Sequence, residues 1–191
     1  MSLLDVILSR RSIRQFGCDP VSRAELENMV DAGRLAPSAA NRQPLEFILV
    51  DDKDLKNQIF PCLNWAAYIA PEGDPKKGQE PVAYIVVLVN TEVSAENFER
   101  DVGAAVENMI LAAWEKKIGS CWLISIERKP LHRILGVPDT HRIDSVLAFG
   151  YPAESPVVEE LEGSVQYWKD AGGRLHVPKR RLKDVMRLNG F

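Results

Sequence analysis

Cysteine is scarce. Cys18, Cys62 and Cys121 are the only three in 191 residues, odd in number and widely spaced. That excludes a disulfide framework, leaves no C-x-x-C pair and points to a reducing compartment. Histidine is equally sparse. His132, His141 and His176 stand apart from one another and from the cysteines, so no metal-ligand spacing is present. Each histidine reads as a surface or capping residue. No apolar run approaches the roughly 20 residues that span a bilayer. Near the N-terminus the arginines follow the apolar stretch, whereas a secretory signal places its basic region first. A cytoplasmic protein with no membrane partner is expected. The formal net charge of -3 gives no general field for nucleic acid.

Familiar catalytic motifs are missing as well. No G-x-G-x-x-G follows a strand-like segment, so a Rossmann dinucleotide site is not expected. Gly73 and Gly78 have the glycine spacing of a P-loop, but Gln79 and Glu80 stand where Lys and Ser or Thr would hold phosphate and magnesium. There is no G-x-S-x-G elbow, and Cys121, inside an apolar stretch, reads as inert packing. Asp101 and Glu107 sit six positions apart on a predicted helix, a poor match to one face, and read as a solvated pair.

What is present is a globular composition, 46% hydrophobic and 27% charged, enough for a full core in one domain over 1–191. Leu3, Leu4, Ile7 and Leu8 fit one face of an opening helix. Ser22 followed by Glu25 forms a capping-box pattern, and the helix it opens ends near Ala36-Pro37. Strands are predicted at Leu45 to Val50, Val82 to Val89, Ser120 to Ile126 and Ile143 to Tyr151, the second fully apolar and so central. Helices are predicted at Asp54 to Cys62, Ala95 to Lys117 and Pro130 to Leu135, with two more at Val157 to Ala171 and Leu182 to Leu188. Asn64 to Pro81 reads as irregular. Strands separated by helices indicate a layered α and β architecture.

Two basic clusters stand out against this acidic background. One is Arg10-Arg11-Ser12-Ile13-Arg14 and the other is Lys179-Arg180-Arg181-Leu182-Lys183. Cations gathered into short runs suit a compact anion gripped from two sides, and arginine supplies a bidentate fork for phosphate. Arg10 and Arg11 also fit a second reading, as cations at the C-terminal end of the opening helix. Between the clusters, Ala36-Pro37-Ser38-Ala39-Ala40-Asn41-Arg42-Gln43-Pro44 is a small polar loop suited to a flat, hydrogen-bonding ligand. A phosphorylated, planar cofactor is the expected occupant.

The chain resembles the nitroreductase family of FMN-dependent oxidoreductases. Arg10-Arg11-Ser12-Ile13-Arg14-Gln15-Phe16 is similar to the family's opening R-x-S-x-R-x-F pattern, and Pro37 to Pro44 to its P-S-x-x-N-x-Q-P loop. Asp101 to Ala113, Gly119-Ser120-Cys121-Trp122, Leu147 to Pro152 and Val177 to Arg181 follow in the family's order. The resemblance implies an α+β, three-layer sandwich whose mixed central sheet is flanked by helices, forming an intertwined homodimer with FMN at the interface. It implies that Arg10, Arg11, Ser12 and Arg14 hold the phosphate and ribityl end, with Lys179 and Arg181 closing from the other side. Pro37, Ser38, Ala39, Asn41 and Gln43 would reach the flavin from the partner subunit, and Leu123 and Ile124 would flank its ring. Trp65 and Tyr68 read either as a lid or as core packing. The implied activity is ping-pong transfer of a hydride from NAD(P)H, through the flavin, to a nitroaromatic, quinone or similar small acceptor. The absence of acid–base machinery agrees, because a flavin carries its own chemistry. A non-catalytic flavin-binding module is the alternative from another class. Flavin fragmentation and reductive dehalogenation are alternatives within the fold.

Overall fold

A computed structural model describes residues 2–191. The central sheet is built from β1 (Leu45–Val50), β2 (Ala83–Asn90), β3 (Gly119–Leu123) and β4 (His141–Gly150), in the order β1-β2-β4-β3. Neighbours run antiparallel, and a parallel bridge from Ser12 to Ser120 at β3 makes the sheet mixed.

Strand β2 is buried almost from end to end because apolar layers cover both faces of the sheet. Tyr84, Val86 and Leu88 face one cluster, which includes Ile59 of α3 (Lys53–Ile59) and Leu131 of α5 (Arg128–Leu135). Ala83, Ile85, Val87 and Val89 face the other. That layer holds Leu26 and Met29 of α2 (Arg23–Arg34) with Val102, Val106 and Met109 of α4 (Glu99–Glu115). Period-two alternation in one strand thus serves two cores, and the result is the expected three-layer sandwich.

Local sequence sets the element ends. The Ser22 hydroxyl accepts the Glu25 N–H at 3.2 Å and opens α2, the Ser22 half of the expected capping box. A reciprocal Ser2 and Asp5 pair caps α1 (Leu3–Ser9). Gly136, at φ 60°, ends α5 in the left-handed conformation that glycine adopts without steric cost.

The segment after α1 is fastened onto the end of the sheet. The Ile13 N–H donates to the Ser120 carbonyl at 2.9 Å, and the Gly17 N–H to the Tyr151 carbonyl at 2.8 Å. Ile13 and Phe16 are fully buried. They fit because Gly119 and Gly150 carry no side chain, so this segment lies directly against β3 and β4.

Three expectations need correction. No helix forms between Val157 and Ala171. That stretch contains β5 (Val157–Glu160) and β6 (Trp168–Lys169), which flank β7 (Leu175–Lys179) in a second, three-stranded sheet. β-branched Val157 and Val158 and the left-handed Gly163 suit strand and turn, and pairing with β7 overrides any helical periodicity. The final helix, α6, covers only Leu182–Val185, and the long helix α4 begins later than expected, after Phe98. Among the described residues no helix is long and apolar enough to cross a membrane.

A methyl group at Gly150 would lie 2.9 Å from Phe16 Cδ1 and 3.0 Å from Phe16 Cβ. Phe16 is fully enclosed and cannot swing away. Gly150→Ala should therefore cost about 1–3 kcal/mol of stability in urea unfolding, whereas Gly103→Ala, in open space inside α4, should stabilise by up to about 1 kcal/mol.

Candidate functional site

The two basic runs meet. Arg10, Arg11, Ser12 and Arg14 line one wall of a cleft of about 300 Å³, and Lys179, from the far end of the chain, lines the other. Ile7, Leu8, Val158, Tyr167 and Val177 complete the lining, so the cleft is cationic in one part and apolar in another.

The path of the segment sorts its side chains between core and cleft. Ile13 and Phe16 point into the core while Ser12 and Arg14 turn toward the cleft. The backbone between them is pinned by Glu154, whose Oε1 accepts the N–H groups of both Arg14 and Gln15. The Gln15 amide, 6% exposed, ties the next loop down: its Nε2 donates to the Asp74 carbonyl and its Oε1 accepts the Lys76 N–H.

The arginines are only partly satisfied. The Arg11 guanidinium donates to the carbonyls of Leu8 and Arg10, at 2.9 and 2.7 Å, so it does serve the end of α1. Among the described residues its Nε is buried without a partner, and so is the Nε of Arg14. Arg10 reaches Glu107 at 3.8 Å, a loose pair with the acid half exposed. Burial, and then the adjacent Arg10 charge, pull the Arg11 pKa below the ordinary arginine value. Arginine keeps its proton regardless, so the cost of crowding remains in the protein until an anion relieves it. The Arg14 guanidinium lies over the Tyr167 ring at 5.3 Å, and Tyr167 in turn packs on Tyr68 at 4.9 Å. Of the two candidate lid residues, Trp65 is core and Tyr68 is exposed beside the cleft.

The other expected residues lie elsewhere. Arg181 precedes α6 and pairs with Asp184 at 3.0 Å, outside the cleft lining. Leu123 is buried in the core and Ile124 is exposed just beyond β3. The polar loop lines a separate, smaller cavity through Pro37, Ser38 and Gln43. Ala39 and Asn41 sit on the 3-10 turn between them.

That loop is strained. Ala40, Asn41 and Gln43 have φ values of 52°, 53° and 52°, in the left-handed region that non-glycine residues avoid. The Ser38 hydroxyl accepts the Gln43 N–H at 3.0 Å, and Asp101 Oδ1 accepts the Ala39 N–H at 3.0 Å. Asp101 is 7% exposed, which overturns its reading as one of a solvated pair. Nothing in its spacing signals this, because the partner is a backbone N–H 62 positions away. Glu154 leaves no signal in the sequence for the same reason, its partners being the backbone N–H groups of Arg14 and Gln15. Among the described residues no cluster of His, Cys, Asp or Glu could hold a metal ion.

A helix-covered α+β sandwich with a cationic cleft beside β3 defines the class of protein. Residues 7–151 match the nitroreductase family, and the chain belongs to it. It is 33% identical over 158 residues, 79% of this chain and 86% of the other, to an Archaeoglobus fulgidus protein provisionally named NADH dehydrogenase/NAD(P)H nitroreductase. A crystal structure of a Parabacteroides distasonis protein with the same provisional name superposes with a TM-score of 0.74 at 25% identity, over 99% of this chain and 98% of that one. A Desulfovibrio desulfuricans nitroreductase-like structure in complex with FMN shares the fold, with a TM-score of 0.71 at 21% identity over 100% of this chain and 98% of that one.

Removing the Asp101 carboxylate strands the Ala39 N–H. Asp101→Ala should cost about 1–3 kcal/mol and speed proteolytic nicking at 38–43, whereas Asp101→Asn, which keeps an acceptor, should behave nearly as wild type.

Proposed function

We propose that this chain is an FMN-dependent oxidoreductase that takes a hydride from NAD(P)H and reduces a nitroaromatic, quinone or similar small acceptor. One observation carries this reading: cations from both ends of the chain line one cleft, with two buried guanidinium nitrogens that have no partner among the described residues.

The residues fit FMN. A phosphate monoester carries nearly two charges and accepts several strong hydrogen bonds, which Arg10, Arg11, Ser12, Arg14 and Lys179 can donate. The apolar lining from Leu8, Val158 and Val177 favours an organic ligand over a free inorganic anion. When bound, FMN supplies hydride chemistry, accepting from the nicotinamide and delivering to the acceptor in a ping-pong cycle. The protein's part is to bind and orient. Glu154 fixes the backbone that aims Arg14, and the sheet edge under Ile13 and Phe16 keeps the cationic wall rigid.

A homodimer completes the reading. The chain leaves an apolar groove between helices, lined by Leu3, Val6, Ala32, Leu35, Leu111 and Ala112. Its C-terminal segment exposes Leu182, Val185, Met186, Leu188 and Phe191. Exposed apolar area of this kind is characteristic of an interface. A second copy would cover both regions. It would also bring Pro37, Ser38, Ala39, Asn41 and Gln43 to the flavin in the other subunit's cleft. Arg181 would then join Lys179 at the phosphate, with Ile124 and the backbone of the buried Leu123 beside the ring.

The purified protein should be yellow, and its flavin absorbance should bleach anaerobically on addition of NADH or NADPH. Colourless protein that takes up no FMN would overturn the proposal, and bound flavin that no nicotinamide reduces would favour a binding module. Arg10→Ala and Lys179→Ala should each weaken FMN binding by about tenfold or more while the folded circular dichroism spectrum is kept.

A further inference from the structure

Behind the cleft, the three-stranded sheet carries a cluster that ligand binding does not use. Successive side chains of an extended strand point to opposite faces. Val158, Tyr167, Val177 and Lys179 line the cleft. Their chain neighbours Glu159, Trp168 and His176 therefore gather on the reverse face. There His176 Nδ1 lies 3.0 Å from Glu159 Oε2, and its Nε2 lies 3.3 Å from Asp170 Oδ2. The Trp168 ring stacks on the imidazole with centroids 4.2 Å apart, and its Nε1–H donates to Glu159 Oε1 at 2.8 Å. All three strands contribute: Glu159 from β5, Trp168 and the adjoining Asp170 from the β6 side, and His176 from β7.

The chemistry selects one protonation state. A neutral imidazole has a single N–H donor, so one of its nitrogens would set a lone pair against a carboxylate. The imidazolium donates to both, and a cation stacked on an indole face is favourable. Glu159 and Asp170 are the charged groups that face the ring, and the Glu159 hydrogen bond leads the effects that raise the His176 pKa above its ordinary value. Asp170 is held ready by the Arg174 N–H at 2.8 Å.

We propose that His176 is a positioning residue whose imidazolium staples β5, β6 and β7 from behind, holding Lys179 and the apolar wall against the bound FMN. This rests on the reading of the cleft as an FMN site. The sign follows from the raised pKa. The staple is fully formed below the ordinary histidine value and is lost as pH rises through the higher folded value. The ligand titrates the other way, because a phosphate monoester gains its second charge near about pH 6 and binds cations better above it. Comparing variants at each pH removes that common contribution.

The test is FMN release from the holoenzyme, read as recovery of flavin fluorescence after dilution, from about pH 5.5 to about pH 9. His176→Gln should release FMN about fivefold faster than wild type at the acid end, with the ratio falling toward one at the alkaline end. A ratio that is the same at every pH, or equal rates throughout, would overturn the proposal. Glu159→Gln removes the main charged partner and should move the wild-type release profile to lower pH. An unmoved profile contradicts the staple, even if His176→Gln fails to fold. Wild-type protein that holds no FMN at any pH would overturn the cofactor reading along with this one. Retained FMN with a pH-independent ratio would overturn this one alone.

Discussion

Like charges held close together beside β3 are the constraint on which the rest of the structure depends. Arg10, Arg11 and Arg14 crowd one short segment, and Lys179 is brought to face them from the other end of the chain. Like charges in a partly buried cleft repel one another more strongly than in water. Burial first, and the adjacent Arg10 charge second, lower the Arg11 pKa, and the Nε atoms of Arg11 and Arg14 have no hydrogen-bond partner among the described residues. Such a cleft persists only if its backbone cannot relax. Two buried anchors, Ile13 and Phe16, and the Glu154 carboxylate supply that resistance.

The opposing wall solves the same problem differently. It belongs to a small sheet outside the main core, with short strands and little apolar burial of its own. Hydrogen bonds and stacking around His176 do the work that a hydrophobic layer does elsewhere. The polar loop at 38–43 follows a related rule. Its left-handed residues cost conformational energy that Asp101 and Ser38 offset through backbone hydrogen bonds. Rigid parts thus line both the cationic cleft and the separate cavity at the polar loop.

The elements that could be read in the sequence are those whose signal is local. The apolar run of β2, the Ser22 cap and the Gly136 stop each carry their own periodicity or conformational preference. The basic runs are legible because they gather like charges into two short stretches of a chain with a net negative charge, and the segments in family order give their meaning. What stayed hidden depends on distant partners. β5 and β6 exist because β7 offers them a pairing edge, so the Glu-rich stretch after Val157 mimics a helix until the tertiary fold is known. Asp101 and Glu154 bind backbone N–H groups that leave no mark in the residue pattern. Glycines such as Gly119 and Gly150 likewise declare their role only when Ile13 and Phe16 are seen against them.

If cations from both termini grip one phosphate, removing that phosphate from the ligand should abolish most of the affinity. The direct measurement is the Kd of the flavin-free protein for FMN against its Kd for riboflavin, taken side by side at one ionic strength. Two charge-assisted hydrogen bonds suffice for a preference of about a hundredfold or more for FMN, with the gap narrowing as salt is raised. Equal affinity for the two flavins would contradict the account at its centre.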